Sequence, residues 1–252
     1  LGDLGEYKNF DFPTVGSGPF QVVEYETDQF IRLKANPDYW GGAPAYDELV
    51  FRHFKNADAP VQALQTGEVD LVSGLLPAQY KALEGEEGIT LNRAPGRRTS
   101  SITFNVGART RDGKPFGDGH PALKDPAVRQ ALHHAIDKQE LIRKVDDGMA
   151  EEGVSYIPPI FSTYFWQPSD EEKVRFDLDE ANRILDEAGY ARGPDGVRVD
   201  PKSGRPLRFR LLNHSDTPTE STDSRFLEGW WEKIGVDVEV QSQDSGKLND
   251  SL

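Results

Sequence analysis

Two adjacent arginines, Arg97 and Arg98, and a run of three aromatics, Tyr164-Phe165-Trp166, are the residues of this chain best suited to hold another molecule. A guanidinium can grip a carboxylate through two parallel hydrogen bonds, which an ammonium does less well. Surface salt bridging is the competing use of the same residues. Aromatic side chains can stack on a ligand group or wall it off at low entropic cost, or they can pin their own loop into the core. Asn213 and His214 follow Leu207 to Leu212, which reads as a strand, and open α/β sheets present binding groups beyond the carboxyl ends of their strands.

Metal and nucleophilic chemistry find less support. His133 and His134 are neighbours, and successive side chains on a helix diverge by about 100°, so one ion cannot take both comfortably. They read as a helix face. Asp112, Asp118 and Asp125 surround a glycine-rich loop, but spacings of six and seven are not the odd-position pattern of a calcium loop. Asp146-Asp147 and Glu151-Glu152 read as a solvated charge run. No nucleophile elbow, phosphate loop or metalloprotease helix occurs, and Gly16-Ser-Gly-Pro is not Gly-x-Ser-x-Gly. With 43 acidic residues, paired carboxylates arise by composition alone, which leaves a hydrolase the weaker reading.

The elements that must position these groups follow from periodicity. Phe20 to Tyr25 and Phe30 to Ala35 alternate apolar with polar residues around Thr27-Asp28, which predicts a β-hairpin, with Leu49 to Phe54 as a third strand. Ala59 to Thr66 predicts a short helix stopped at Gly67, and Val69 to Val72 a strand after it. Pro77 to Leu83 reads as a helix, and Ile89 to Asn92 and Ser100 to Val106 as strands ahead of the Gly- and Pro-rich loop from Gly107 to Pro121. Asp125 can cap a helix whose first position is Pro126, where the missing N–H costs nothing. Val128, Ala131, Leu132, Ala135 and Ile136 then form one apolar stripe, and a second segment from Asp137 carries Leu141, Ile142 and Val145 to a stop at Gly148. Tyr156 to Pro168 reads as a loop. Asp177 and Glu180 suit a capping box for a helix from Leu178 to Ala188, closed by Gly189. Phe226 to Ile234 predicts an amphipathic helix, and Val236 to Val240 a strand with one covered face.

The bulk numbers narrow the classes. At 252 residues and 36% hydrophobic content the chain can supply a core for one large or two smaller domains. A net charge of -14 disfavours nucleic acid and anionic membrane as partners. The absence of cysteine excludes disulfides, thiolate catalysis and Cys-based metal sites. No run of about 18 apolar residues exists to span a bilayer.

The stretch Pro115 to Gly148 also resembles the family 5 solute-binding proteins of ABC importers, whose pattern D-x-x-V-R-Q-A-L-x-x-A-I-D-(K/R)-x-x-(L/I)-I-x-x-V-x-x-G is met from Asp125 to Gly148. The resemblance continues in order through Gly16 to Phe20, Asn36 to Trp40, Gly67 to Asp70, Thr103 to Asn105, Ala181 to Tyr190 and Ile234 to Val236. It implies an α/β fold of the type II periplasmic-binding kind, two-lobed with mixed sheets and incomplete in this segment. Residues 1–100 would be part of lobe one and 101–252 part of lobe two, with a hinge-crossing strand near 99–106.

The resemblance further implies a substrate-binding component that captures extracellular oligopeptides or dipeptides and delivers them to membrane permease subunits, as a monomer and without catalysis, cofactor or nucleic acid. Nickel chelates, heme and oligosaccharides are the alternative cargoes of the same scaffold. The setting would be extracellular or periplasmic, with a lipoprotein tether in the full-length form. The start LGDLGEY has no leader features, and the resemblance favours an internal segment covering roughly the middle half of such a protein. In look-alike proteins the strand at Arg98 to Asn105 crosses at the cleft, so Ser101, Thr103 and Asn105 would face a ligand while Ile102 and Phe104 face the core. Arg98, Tyr164, Phe165, Trp166, Asn213 and His214 complete the expected contacts. A Trp- and Asp-containing segment that anchors the peptide's amino terminus would follow Val240, and Gln241 to Leu252 contains none.

Overall fold

The computed structural model describes residues 12–251 apart from Phe116 and Asp118. Asp118, one of the three aspartates weighed for calcium, and the segment LGDLGEY lie outside the described residues. The chain divides into two units, 1–91 and 92–252.

In the first unit, β1 (Phe20–Glu26), β2 (Phe30–Ala35) and β3 (Glu48–Arg52) form an antiparallel meander in chain order. The expected hairpin turns at Asp28, whose φ of 59° is one that aspartate tolerates better than most residues. Two short helices follow, α1 (Ala59–Gln65) and α2 (Pro77–Ala82). Gly67 stops the first with φ +73° and an N–H donated to Leu64 O at 3.1 Å. The Gln79 side chain accepts from Leu76 N at 3.0 Å and so caps the second. Among the described residues of this unit only Ala63 and Leu83 are fully buried apolar side chains, and Leu49, Val50 and Phe51 on β3 are exposed.

The second unit carries the core. Its elements are a 3-10 turn (Pro121–Lys124), α3 (Pro126–His134), α4 (Lys138–Lys144), α5 (Leu178–Glu187), β4 (Arg208–His214), α6 (Pro218–Lys233), β5 (Asp237–Gln243) and α7 (Ser245–Ser251). β4 and β5 pair in parallel with α6 as the crossover between them, the arrangement parallel neighbours require. Asp125 caps α3 as its sequence indicates, accepting from Ala127 N at 3.0 Å. Val128, Ala131, Leu132 and Ala135 are buried, and Ile136 packs against the same cluster with Leu185, Leu207, Trp230, Trp231 and Val236. Trp231 keeps its indole N–H satisfied by donating to Leu132 O at 3.0 Å.

Arg198, in the loop between α5 and β4, is 2% exposed. Its guanidinium donates to Ile234 O at 2.8 Å, Asp186 Oδ1 at 2.6 Å, Tyr190 O at 2.5 Å and Asn182 Oδ1 at 2.9 Å. Its own N–H donates to Gly235 O at 2.8 Å. A charge this deep is tolerated because its N–H groups find oxygens.

Several expectations need correction. Val69 to Val72, Ile89 to Asn92 and Ser100 to Val106 belong to no strand among the described residues. Alternation specifies which side chains share a face, whereas a strand also needs a neighbour to complete its ladder. α6 begins eight residues before the expected Phe226, because Thr217 and Pro218 make a start signal whose next two turns are polar. α7 has no apolar stripe to announce it. The capping box at α5 is half made: Asp177 accepts from Glu180 N at 2.8 Å, but the Glu180 carboxylate turns to the Arg183 fork at 2.5 and 2.7 Å instead of back to the cap.

Leu132 is 1% exposed at the centre of the cluster. Leu132→Ala is expected to cost about 2 to 5 kcal/mol through lost transfer energy and the cavity left behind, read as a fall in the denaturant midpoint at constant slope. A loss below about 0.5 kcal/mol would remove the α3 stripe from the core, since that is the range of surface substitutions.

Candidate functional site

The expected contacts fall on three segments of the second unit. In the first, the facing inferred from alternation holds although no strand forms. Ile102 and Phe104 pack against the core, Phe104 with its ring centroid 6.5 Å from that of Trp231, while Ser101 and Thr103 are exposed. Arg97 and Arg98 are exposed and make no ion pair among the described residues. Asn105 differs from its expected role. Its Oδ1 accepts from Gly107 N at 3.0 Å and Ala108 N at 3.1 Å, an Asx turn that launches the next loop. Gly119 lies so close that a Cβ there would be 2.5 Å from Asn105 O.

In the second segment, Tyr164 is 74% and Trp166 53% exposed, and Phe165 is half-buried. A loop pinned into the core by its aromatics is therefore not what forms. Turn hydrogen bonds hold the segment instead, Tyr164 N and Phe165 N both donating to Phe161 O at 2.8 and 3.0 Å. Tyr156 and Phe161 are exposed beside them, so the segment presents an aromatic surface.

The third segment is the end of β4. Asn213 is 5% exposed and its amide donates to Ser224 Oγ at 2.7 Å on α6, so this side chain is closed to a ligand. Asn213 and His214 are the last two residues of β4 rather than beyond it, and the crossover helix covers Asn213. His214 is half-exposed and its Nδ1 lies 2.9 Å from Glu220 Oε2, which also accepts from His214 N at 2.9 Å. Nothing in the sequence marks Ser224 as a partner, whereas Glu220 is an alternative carboxylate anchor for a peptide's amino terminus and Thr217-x-x-Glu220 also has the form of a capping box. Its glutamate serves the neighbouring strand rather than its own helix end.

The metal readings are met by other partners. His134 Nδ1 lies 2.9 Å from Arg175 O while His133 is exposed on another side of α3. Asp112 holds Thr110 and Lys114 within a hairpin, and Asp125 caps α3, so the two do not converge. Among the described residues no group of three His, Cys, Asp or Glu could hold a metal ion.

Asp223, one turn beyond Glu220 on α6, has its carboxyl pushed up to about 6 by burial, with the charges of Asp146 and Glu220 adding to it. Against an unfolded value of about 3.9, such a group binds protons more tightly in the folded chain. Its ionisation therefore costs stability, with no penalty below about pH 4 and the full penalty above pH 6. Asp223→Asn is expected to raise the thermal midpoint at pH 7 and leave it unchanged at pH 4, measured by scanning calorimetry. Equal shifts at both would exclude ionisation as the cause.

Comparison with known proteins sets these segments in context. The sequence model of the bacterial extracellular solute-binding proteins, family 5 Middle, matches residues 2–251. The dipeptide-binding protein of Escherichia coli K12 is 27% identical over 96% of this chain and 41% of its own length. The oligopeptide-binding protein AppA of Bacillus subtilis is 29% identical over 96% of this chain and 42% of its own. A lactococcal OppA structure, complexed with an endogenous peptide in the closed conformation, superposes with a TM-score of 0.78 at 25% identity, covering 92% of this chain and 43% of that one. The chain thus spans about two fifths of the length of the curated relatives it matches. No helix among the described residues is long and apolar enough to cross a membrane.

Proposed function

Because the chain belongs to the bacterial extracellular solute-binding proteins, family 5, we propose that it forms part of a receptor for oligopeptides or dipeptides that delivers them to the permease of an ABC importer. The observation that carries the reading is that relatives named for peptide binding match along almost the whole chain rather than over one motif. In this reading the receptor is a monomer, extracellular or periplasmic and held at the membrane as a lipoprotein. It does no chemistry on its ligand. Residues 1–100 contribute to one lobe and 101–252 to the other, with the segment 99–106 crossing between them. Ligand binding supplies the energy that biases an open and a closed arrangement toward closure.

The contacts we assign are Arg98, Ser101 and Thr103 on one segment and Tyr164, Phe165 and Trp166 on another. Exposed hydroxyls beside a core-anchored Ile102 and Phe104 can meet an extended backbone, and an uncommitted guanidinium suits a terminal carboxylate. Exposed Tyr164 and Trp166 offer area for an apolar peptide side chain. His214 contributes through its exposed half. Asn105 and Asn213 act behind these residues, one holding the loop after the crossing segment and the other holding α6 on β4.

A thermal-shift screen of the complete receptor against peptides, oligosaccharides and nickel chelates tests the reading. Peptide at about a hundred times its Kd should stabilise by about 2.7 kcal/mol, with the peptide recovered intact. Stabilisation by a nickel chelate or a sugar alone would reassign the cargo, and conversion of the peptide would overturn the assignment as a carrier. Trp166→Ala is expected to weaken peptide binding while leaving the melting point of the free protein within a few degrees, as befits an exposed side chain.

A further inference from the structure

A groove of about 380 Å3 lies between the loop after Asn105, the 3-10 turn and the loop before β4, all within the second unit. Three cations, Arg109, Lys124 and Arg205, line it together with Gly107, Gly117 and Gly119, and no carboxylate is among its described lining residues. That composition stands out in a chain of net charge -14. Several basic side chains elsewhere find acids: Arg183 holds Glu180 and Glu187, Arg208 holds Asp195 and Asp237, and Lys138 holds Glu152. Arg109, Lys124 and Arg205 pair with no carboxylate among the described residues.

Two of the three are positioned by the fold. The Lys124 stem lies across the backbone of Gly107, where a Cβ would sit 2.7 Å from Lys124 Cε, and φ of +93° there also favours glycine. Arg109 opens a hairpin closed by its bridge to Pro115, and its Nη1 donates to Gly113 O at 2.7 Å. Gly117 and Gly119 are pressed against Asn105, where side chains would stand 2.8 and 2.5 Å from its atoms, so the groove is bare backbone at these two positions. The field at the site is felt by its neighbour. His120, buried between Gly119 and Pro121, has its ring pKa lowered by burial first and by the charge of Arg205 second. Its Nδ1 accepts from Ala122 N at 3.2 Å, which leaves Nε2 as the ring's donor.

From this convergence of three unpaired cations on a glycine-walled groove, we propose that the second unit carries a binding site for a phosphate-type oxyanion, separate from the peptide contacts. A carboxylate offers two oxygens and one charge, which leaves most of this lining unmatched. A phosphate group offers up to two charges and oxygens on several sides, matching a guanidinium fork and an ammonium together. The source is either free phosphate or the phosphate of a lipid headgroup. The site does not depend on the peptide reading.

The test follows the amide resonances of Gly107, Gly117 and Gly119 while inorganic phosphate is added, with acetate at matched ionic strength as comparison. A parallel flotation assay uses phosphatidylglycerol vesicles against phosphatidylcholine vesicles. Phosphate should give saturable shifts that acetate does not. Lys124→Ser and Arg205→Ser should each weaken binding about fivefold, the size expected for one partly exposed charge contact. Lys124→Arg should retain binding, and Arg183→Ser on α5 should leave it unchanged, which separates loss of charge from loss of fold. Flotation with phosphatidylglycerol that disappears in the double variant, without shifts from free phosphate, would assign the site to a headgroup. Absence of both signals, equal response to acetate, or full binding by the Lys124→Ser/Arg205→Ser variant would overturn the proposal.

Discussion

The second unit depends on the burial of one positive charge. Arg198 comes from a loop, yet its guanidinium joins the side chains of α5 at Asn182 and Asp186, the carbonyl of Tyr190 just past that helix, and the carbonyl of Ile234 at the end of α6. Removing it would leave the Tyr190 and Ile234 carbonyls without their buried partner, the costly direction of the asymmetry between making and losing a buried hydrogen bond. The apolar cluster supplies the larger share of stabilisation, but it is indifferent to small slides of one helix on another. The guanidinium is not, because its donors diverge in fixed directions.

Around that knot the helices are tied at their ends. Asp125 caps α3 with one oxygen and accepts the Tyr190 hydroxyl at 3.1 Å with the other, so the start of α3 and the end of α5 share a residue. Trp231 joins α6 to α3 through Leu132 O. Glu220 and Ser224 hold the first turns of α6 on the end of β4. The irregular segment at 97–104 is anchored from the same framework, since Ile102 and Phe104 pack against the core cluster.

What the sequence made legible follows from where the information is local. Asp125-Pro126, Asp177 and the paired glycines 148 and 189 state helix ends within a few residues, and those ends are where they should be. The alternation of Ile102 and Phe104 with Ser101 and Thr103 gave their facing correctly, because facing depends on period alone. Strand membership did not follow, because a ladder depends on a distant neighbour. The polar start of α6 was hidden because Thr219 to Ser224 contains no apolar residue to mark a helical face. Arg198 was wholly illegible, since PDGVRVD has the composition of a solvated loop and only the carbonyls around it make burial tolerable. Of the candidate site, residue types and exposure were accessible, while the commitment of Asn105 and Asn213 to internal bonds was set by glycine packing and by α6.

Gly235 sits against this knot with φ of +81°, where a Cβ would lie 2.8 Å from Arg198 Cγ and 2.9 Å from Arg192 Nη1. The position is thus closed twice, once by backbone geometry and once by the arginine stems, and relief of either alone does not open it. Any side chain introduced at Gly235 therefore presses on the stem that carries the buried charge, so the turn before β5 and the seat of Arg198 form a single mechanical joint.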